Sequence, residues 1–296
     1  MKDPKPLLHS TTFGAVAWEW VPADWPSFLR ELEGVVEHGR RLDHLLLFRG
    51  QRQRAWLLDS TFARACKTHL FRIDQGERLS RVVELTIEHR RLVTERLLFK
   101  FGVATRPSPE LFGLETTKGI DPWFEWIKRL QQYPALDPPN PQLGLGERYL
   151  PGTFVMDWTQ NPNVALYFAN GSTRSGDGAL WVVDATATGK TLHRDRSVRS
   201  MLDQMEAASQ ENNSLGVPLI FHPRAQINYP RAARQEPVYI AQMELVYDLA
   251  EVWDGNQHQP GAEQIILKLI LPAGTHDECK RYLAERGVTY EYLFPA

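Results

Sequence analysis

The chain predicts an α+β fold, a single domain with a central mixed or antiparallel sheet and flanking helices, on three observations. Short continuous apolar runs of strand length recur from the first quarter of the sequence to its end. Between them lie longer segments whose apolar residues return with a period near 3.6, the mark of an amphipathic helix. Finally, 43% of the 296 residues are hydrophobic, enough for a sizeable core, and neither an internal repeat nor a clear interdomain linker interrupts them.

Residues 11–20 read as a strand-rich opening, and Asp24 stands where an N-cap would start a helix over 25–38. That helix places Trp25, Phe28, Leu29, Leu32, Val35 and Val36 near the helical period. The two elements form an N-terminal unit, 1–39, packed on a domain over 40–296. Leu45 to Phe48 is a buried strand that stops at Arg49-Gly50-Gln51. Asp59 or Ser60 caps a short helix beyond it, and 77–101 and 121–132 carry the next helical patterns. Prolines break up 105–145, where 135–146 reads as a loop or insert. Thr153 to Met156 is a second short strand, ending in Asp157-Trp158-Thr159, and Pro162 sits in the first turn of a helix over 162–169. Strands follow over Ala179 to Asp184, Pro218 to Phe221, Val238 to Gln242 and Ile265 to Leu271. A polar helical segment over 197–213, a helix from His276 to Arg286 ended by Gly287, and a closing strand from Thr289 to Phe294 complete the reading.

Composition narrows the function classes. The 34 basic and 36 acidic residues leave a net charge of -2, so no global basic field points to nucleic acid. Cys66 and Cys279 are the only cysteines; they suggest neither a disulfide framework nor a zinc site, and a cytoplasmic setting is the simplest. Neither a signal peptide nor an apolar stretch of about 18 residues, the length a membrane helix needs, stands out. Histidines 44, 69, 89, 193, 222, 258 and 276 lack metal-ligand spacing, so no metal is expected. A hydrolase elbow, a phosphate-binding P-loop and a dinucleotide-binding glycine fingerprint are all missing.

Three short constellations carry chemistry. Arg49, with Gly50 and Gln51, presents a planar fork suited to phosphate or carboxylate beside a glycine that admits a ligand to the backbone. Arg49 is equally readable as a structural arginine paired at a strand end. Asp157, Trp158 and Thr159 mark a strand-to-helix corner that can turn a carboxylate and a hydroxyl into a cleft. They are also ordinary capping residues with a core tryptophan. Arg231, Arg234, Gln235 and Glu236 precede a strand, where a carboxylate can serve as acid, base or holder of a developing cation. A solvated charged turn is the plainer reading.

Taken in order, the three constellations resemble the FRG family of bacterial proteins. The resemblance rests on Phe48-Arg49-Gly50-Gln51, Trp56, the Asp59 to Arg64 stretch, Asp157-Trp158-Thr159, Pro162, Ala165 to Ala169, Pro230-Arg231, Gln235 and the Leu293-Phe294-Pro295 ending. It covers roughly 40–296. Where the family has a histidine this chain has Arg148, and Leu150, Phe154 and Pro237 also depart from the pattern.

A further likeness is to ADP-ribosyltransferase folds. It implies an ADP-ribosyltransferase-like cleft and an NAD-consuming enzyme, a toxin or phage-defence effector. Arg49, Thr159, Gln235 and Glu236 would be catalytic. Arg49, Gly50, Gln51, Asp157, Trp158, Tyr167 and Arg231 would contact NAD. Expected partners are a nucleic-acid or protein acceptor and an antitoxin or immunity protein, with no membrane. Two other classes stand beside this expectation. One is a non-catalytic nucleotide- or nucleic-acid-binding module. The other is a protein-interaction module presenting Trp123, Trp126 or Trp253.

Overall fold

The structure, a computed structural model, describes residues 19–73, 152–171, 174–188, 219–221, 230–242, 247–257 and 265–295. Its strands are β1 (Glu19–Trp20), β2 (Leu46–Gln51), β3 (Val155–Thr159), β4 (Gly178–Asp184), β5 (Leu219–Phe221), β6 (Pro237–Ala241) and β7 (Ile266–Leu271). They form one sheet in the order β1-β7-β4-β2-β3-β6-β5. β1 runs parallel to β7, and every other pairing is antiparallel. The helices are α1 (Trp25–Leu42), α2 (Thr61–Phe71), α3 (Pro162–Asn170), α4 (Pro230–Gln235), α5 (Leu249–Gln257), α6 (His276–Glu285) and α7 (Tyr290–Leu293). A mixed sheet with helices is the α+β class that the apolar runs predict.

α1 follows its sequence closely. The Asp24 carboxylate accepts from the Ser27 N–H at 2.8 Å, which satisfies one of the orphan donors of the first turn. Trp25, Phe28, Leu32, Val35 and Gly39 then form the buried stripe. Asp43, at φ 55°, ends the helix in the left-handed conformation. Ser60 caps α2 by accepting from the Ala63 N–H at 3.1 Å. The Asn161 side chain caps α3, accepting from the Asn163 N–H at 3.0 Å.

Among the described residues, two cores lie on opposite faces of the sheet. One holds Phe48, Leu180, Val182, Leu267 and Leu269 under α1, α3 and α6. The other holds Leu47, Met156, Trp158, Trp181, Val183, Val238 and Ile240, with Leu58 and the α5 residues Leu249, Ala250 and Trp253. The alternation along each strand follows the two-residue period of a pleated sheet.

Several expectations change. The strand at Leu46 does not stop at Arg49: β4 pairs with Arg49, Gly50 and Gln51 in turn, so β2 runs on through all three. Likewise, Asp157-Trp158-Thr159 is the body of β3 rather than a corner beyond it, because β6 pairs with every residue of the strand. The residues before β6 form helix α4 instead of a turn. The closing segment is helix α7 rather than a strand, started by Thr289, whose Oγ1 accepts from the Tyr292 N–H at 3.3 Å. Trp253 is buried at 3% exposure and presents no partner surface. Residues 11–18, the expected helices over 77–101, 121–132 and 197–213, the 135–146 segment, Trp123, Trp126, Arg148 and Leu150 lie outside the described residues.

One property of the sheet positions the site. β2 pairs with β4 at six positions but with β3 at one, Phe48 opposite Thr159. The half built from β1, β7, β4 and β2 therefore joins the half built from β3, β6 and β5 through a single residue pair.

Candidate functional site

All three constellations meet at this junction. Phe48 lies opposite Thr159, and Thr159 lies opposite Pro237, which directly follows Glu236. Beyond the shared pair, the Arg49 side chain takes over where ladder bonds end: its Nη1 donates to the main-chain carbonyl of Asp157. Arg49 follows Leu47 by two residues, so it shares the face of Leu47, Trp158 and Trp181.

Arg49 is tethered by one arm only. Its Nε is sealed from solvent with no hydrogen-bond partner, and so is the indole Nε1 of Trp158 on the adjoining strand. Among the described residues only one other buried side-chain atom, His276 Nδ1, is left so. A buried donor without an acceptor costs about 1–3 kcal/mol, which makes two at one place notable. Burial pushes the Arg49 guanidinium down to about 10; the Asp157 carboxylate pulls it up and Arg64 pushes it further down. Arg49 is still charged at neutral pH.

Arg64 entered the sequence analysis only as the last residue of the Asp59 to Arg64 stretch, with no site role assigned. It sits on α2, where its Nη1 donates to the Asp59 carbonyl at 2.9 Å. Burial lowers its affinity for the proton and the Asp59 carboxylate partly restores it. That carboxylate is already engaged: Lys67 Nζ lies 2.5 Å from its Oδ2 and Gln242 Nε2 donates to its Oδ1 at 3.1 Å. The available signal was an arginine within an 11-residue helix that buries Phe62, Ala63, Ala65 and Cys66.

The expected ligand contacts fare differently. A Cβ on Gly50 would lie 1.9 Å from the Ala165 carbonyl oxygen and 2.4 Å from the Ala169 nitrogen. Glycine is therefore required here for helix α3 to lie against β2, and that helix covers the side a ligand was expected to approach. Gln51 is buried, its Nε2 donating to the Leu57 carbonyl at 3.1 Å and its Oε1 accepting from the Trp181 indole at 2.8 Å. Trp158 packs edge-on to Trp253 with ring centroids 6.3 Å apart. Tyr167 lies with α3 on the other face, its phenol raised by burial and by Glu291 and Tyr290.

Thr159 and Gln235 do come together. The Thr159 hydroxyl donates to the Gln235 carbonyl at 2.5 Å and accepts from the Asn161 N–H at 3.0 Å. Gln235 then spends its amide on the Leu293 carbonyl, at 3.0 Å. Glu236 is exposed, held at φ 46°, and its Oε1 accepts from Asn161 Nδ2 at 3.2 Å. Arg231 lies over the Phe294 ring, 4.6 Å from its centroid. Because Thr159 pairs with Phe48, its side chain shares that residue's face and Arg49 takes the opposite one.

Arg49 thus shares its face with an indole N–H and lies within electrostatic range of the Arg64 guanidinium, a set of donors that suits oxyanions and carbonyl oxygens. Among the described residues no group of three side chains suits a metal ion, and no helix is long and apolar enough to cross a membrane. No family model matches the chain, and no curated protein or solved structure matches it significantly.

Proposed function

We propose that the chain is an FRG-type enzyme that consumes NAD as an ADP-ribosyltransferase or glycohydrolase, acting in the cytoplasm as a toxin or defence effector. The observation that carries this reading is the pair of unpartnered donors, Arg49 Nε and Trp158 Nε1, where the two half-sheets share one residue pair. NAD offers what such donors lack, a diphosphate and a carboxamide oxygen. In this reading Arg49 holds the dinucleotide, and Glu236 is the carboxylate that stabilises the oxocarbenium-like centre formed as nicotinamide leaves. Thr159, Asn161 and Gln235 are positioning residues: their hydrogen bonds fix α4 and the left-handed turn from which Glu236 projects.

The test is nicotinamide release and NAD binding by the purified protein, wild type against Arg49→Ala, with cell extract as a source of acceptor. Release that disappears in the variant supports the reading. A wild-type protein that neither binds NAD nor releases nicotinamide overturns it. One observation favours a second reading, a nucleotide-binding module without bond cleavage. The Thr159 hydroxyl and the Gln235 amide are both engaged by main-chain groups, and Arg49 and Thr159 occupy opposite faces. Binding of NAD without release selects that alternative.

A further inference from the structure

We infer that Arg64, together with Arg49 and the indole N–H of Trp158, forms a two-arginine subsite for a phosphate-type oxyanion. It rests on the NAD reading only insofar as the oxyanion would there be the dinucleotide's diphosphate.

The charge balance leads to it. Arg49, Arg64 and Lys67 are three cations, and the carboxylates that act on them are Asp157 and Asp59. Lys67 and Asp59 are buried at 1% and 0% side-chain exposure and 2.5 Å apart, so they neutralise each other. Arg64 hydrogen-bonds the Asp59 carbonyl, and Arg49 hydrogen-bonds the Asp157 carbonyl and also feels that residue's carboxylate, so the three cations face two carboxylates. Carbonyl oxygens orient a guanidinium without cancelling its charge. Among these groups one positive charge is left over, on two partly buried guanidinium groups that repel each other and donate their hydrogen bonds to neutral carbonyls.

An anion between the two arginines offsets that repulsion and supplies acceptors for Arg49 Nε and Trp158 Nε1. A phosphate or diphosphate fits better than a carboxylate because the donors come from three separate residues and a tetrahedral oxyanion spreads its acceptors in space. The arginine fork also matches phosphate geometry more closely than a lysine would.

The test uses the full chain and three probes: inorganic pyrophosphate, ADP-ribose and uncharged nicotinamide, by calorimetric titration. Wild type should bind pyrophosphate and ADP-ribose saturably. Arg64→Gln should weaken both by about 10- to 100-fold, as loss of a charge-assisted hydrogen bond implies, and Arg64→Lys by less. Should Arg64→Gln not fold, the wild type decides alone. Pyrophosphate should then protect Arg49 and Arg64 from phenylglyoxal, read peptide by peptide by mass spectrometry. Absence of pyrophosphate binding, unchanged binding in a folded Arg64→Gln variant, or protection of other arginines overturns the subsite. NAD turnover with an unchanged KM in Arg64→Gln sinks the subsite and spares the enzyme reading. Arg64-dependent pyrophosphate binding without NAD turnover does the reverse.

Discussion

At Gly50 a single missing carbon decides whether α3 can lie on the sheet. The position reads in sequence as a ligand-facing glycine, since glycine beside arginine at the end of an apolar run suggests close approach. The approach is real, but the partner is the main chain of Ala165 and Ala169. Gly50→Ala should therefore cost about 3 kcal/mol or prevent folding, because neither a helix carbonyl nor a central strand yields easily. A urea unfolding midpoint measures it, and an unchanged midpoint would mean that α3 does not seat here. Cys279 makes a prediction of a different kind. Burial raises its thiol to about 12, with Arg174 pulling the other way. A raised folded-state value leaves the thiolate scarce at every working pH, so iodoacetamide at pH 8 should label Cys279 only after unfolding. Arg64 stood in the motif stretch Asp59 to Arg64 with no role of its own, because a charge on a helix usually marks its wet side; its partial burial and its bond to the Asp59 carbonyl come only with the packing of α2.

Elements whose signals are local were the legible ones. An acidic cap and a regular apolar stripe define α1, and a capping serine and a first-turn proline mark the starts of α2 and α3. Strand ends were not legible, because a strand stops where its neighbours stop. β2 continues through Arg49 only because β4 is there to pair with it. At α7 the aromatic residues of Tyr290 to Tyr292 favour a strand, yet the Thr289 cap and the packing against α4 prevail. The buried Lys67–Asp59 pair belongs to this scale too, since it joins the loop before α2 to the helix itself. Lys67→Met alone strands a buried carboxylate and should destabilise the protein by about 3–5 kcal/mol. Adding Asp59→Asn should return part of the loss, and two additive losses in thermal melts would argue against the coupling.

For the whole molecule, the fold class was readable from composition and periodicity, and the order of strands was not. Nothing local tells that β7 lies between β1 and β4, or that β2 and β3 share one pair. That shared pair is what gathers the three constellations, so the adjacency of Arg49, Thr159 and Gln235 was legible as an ordered set of motifs but not as a geometry. The faces on which their side chains project follow from register, which a sequence does not carry.

The described sheet also has a particular outline. In its strand order β1 and β5 stand at the two ends, and the six- and seven-residue strands β2, β4 and β7 lie inside. On the β1 side, Glu19 is clasped by Arg54 at 2.5 Å and Lys268 at 3.5 Å. A long bare edge invites another chain to add a strand, and each such addition exposes a fresh edge for the next. At the β1 margin of the described sheet, the ionic contacts of Glu19 with Arg54 and Lys268 stand where an incoming strand would have to dock, and they blunt that margin against fibril-like growth.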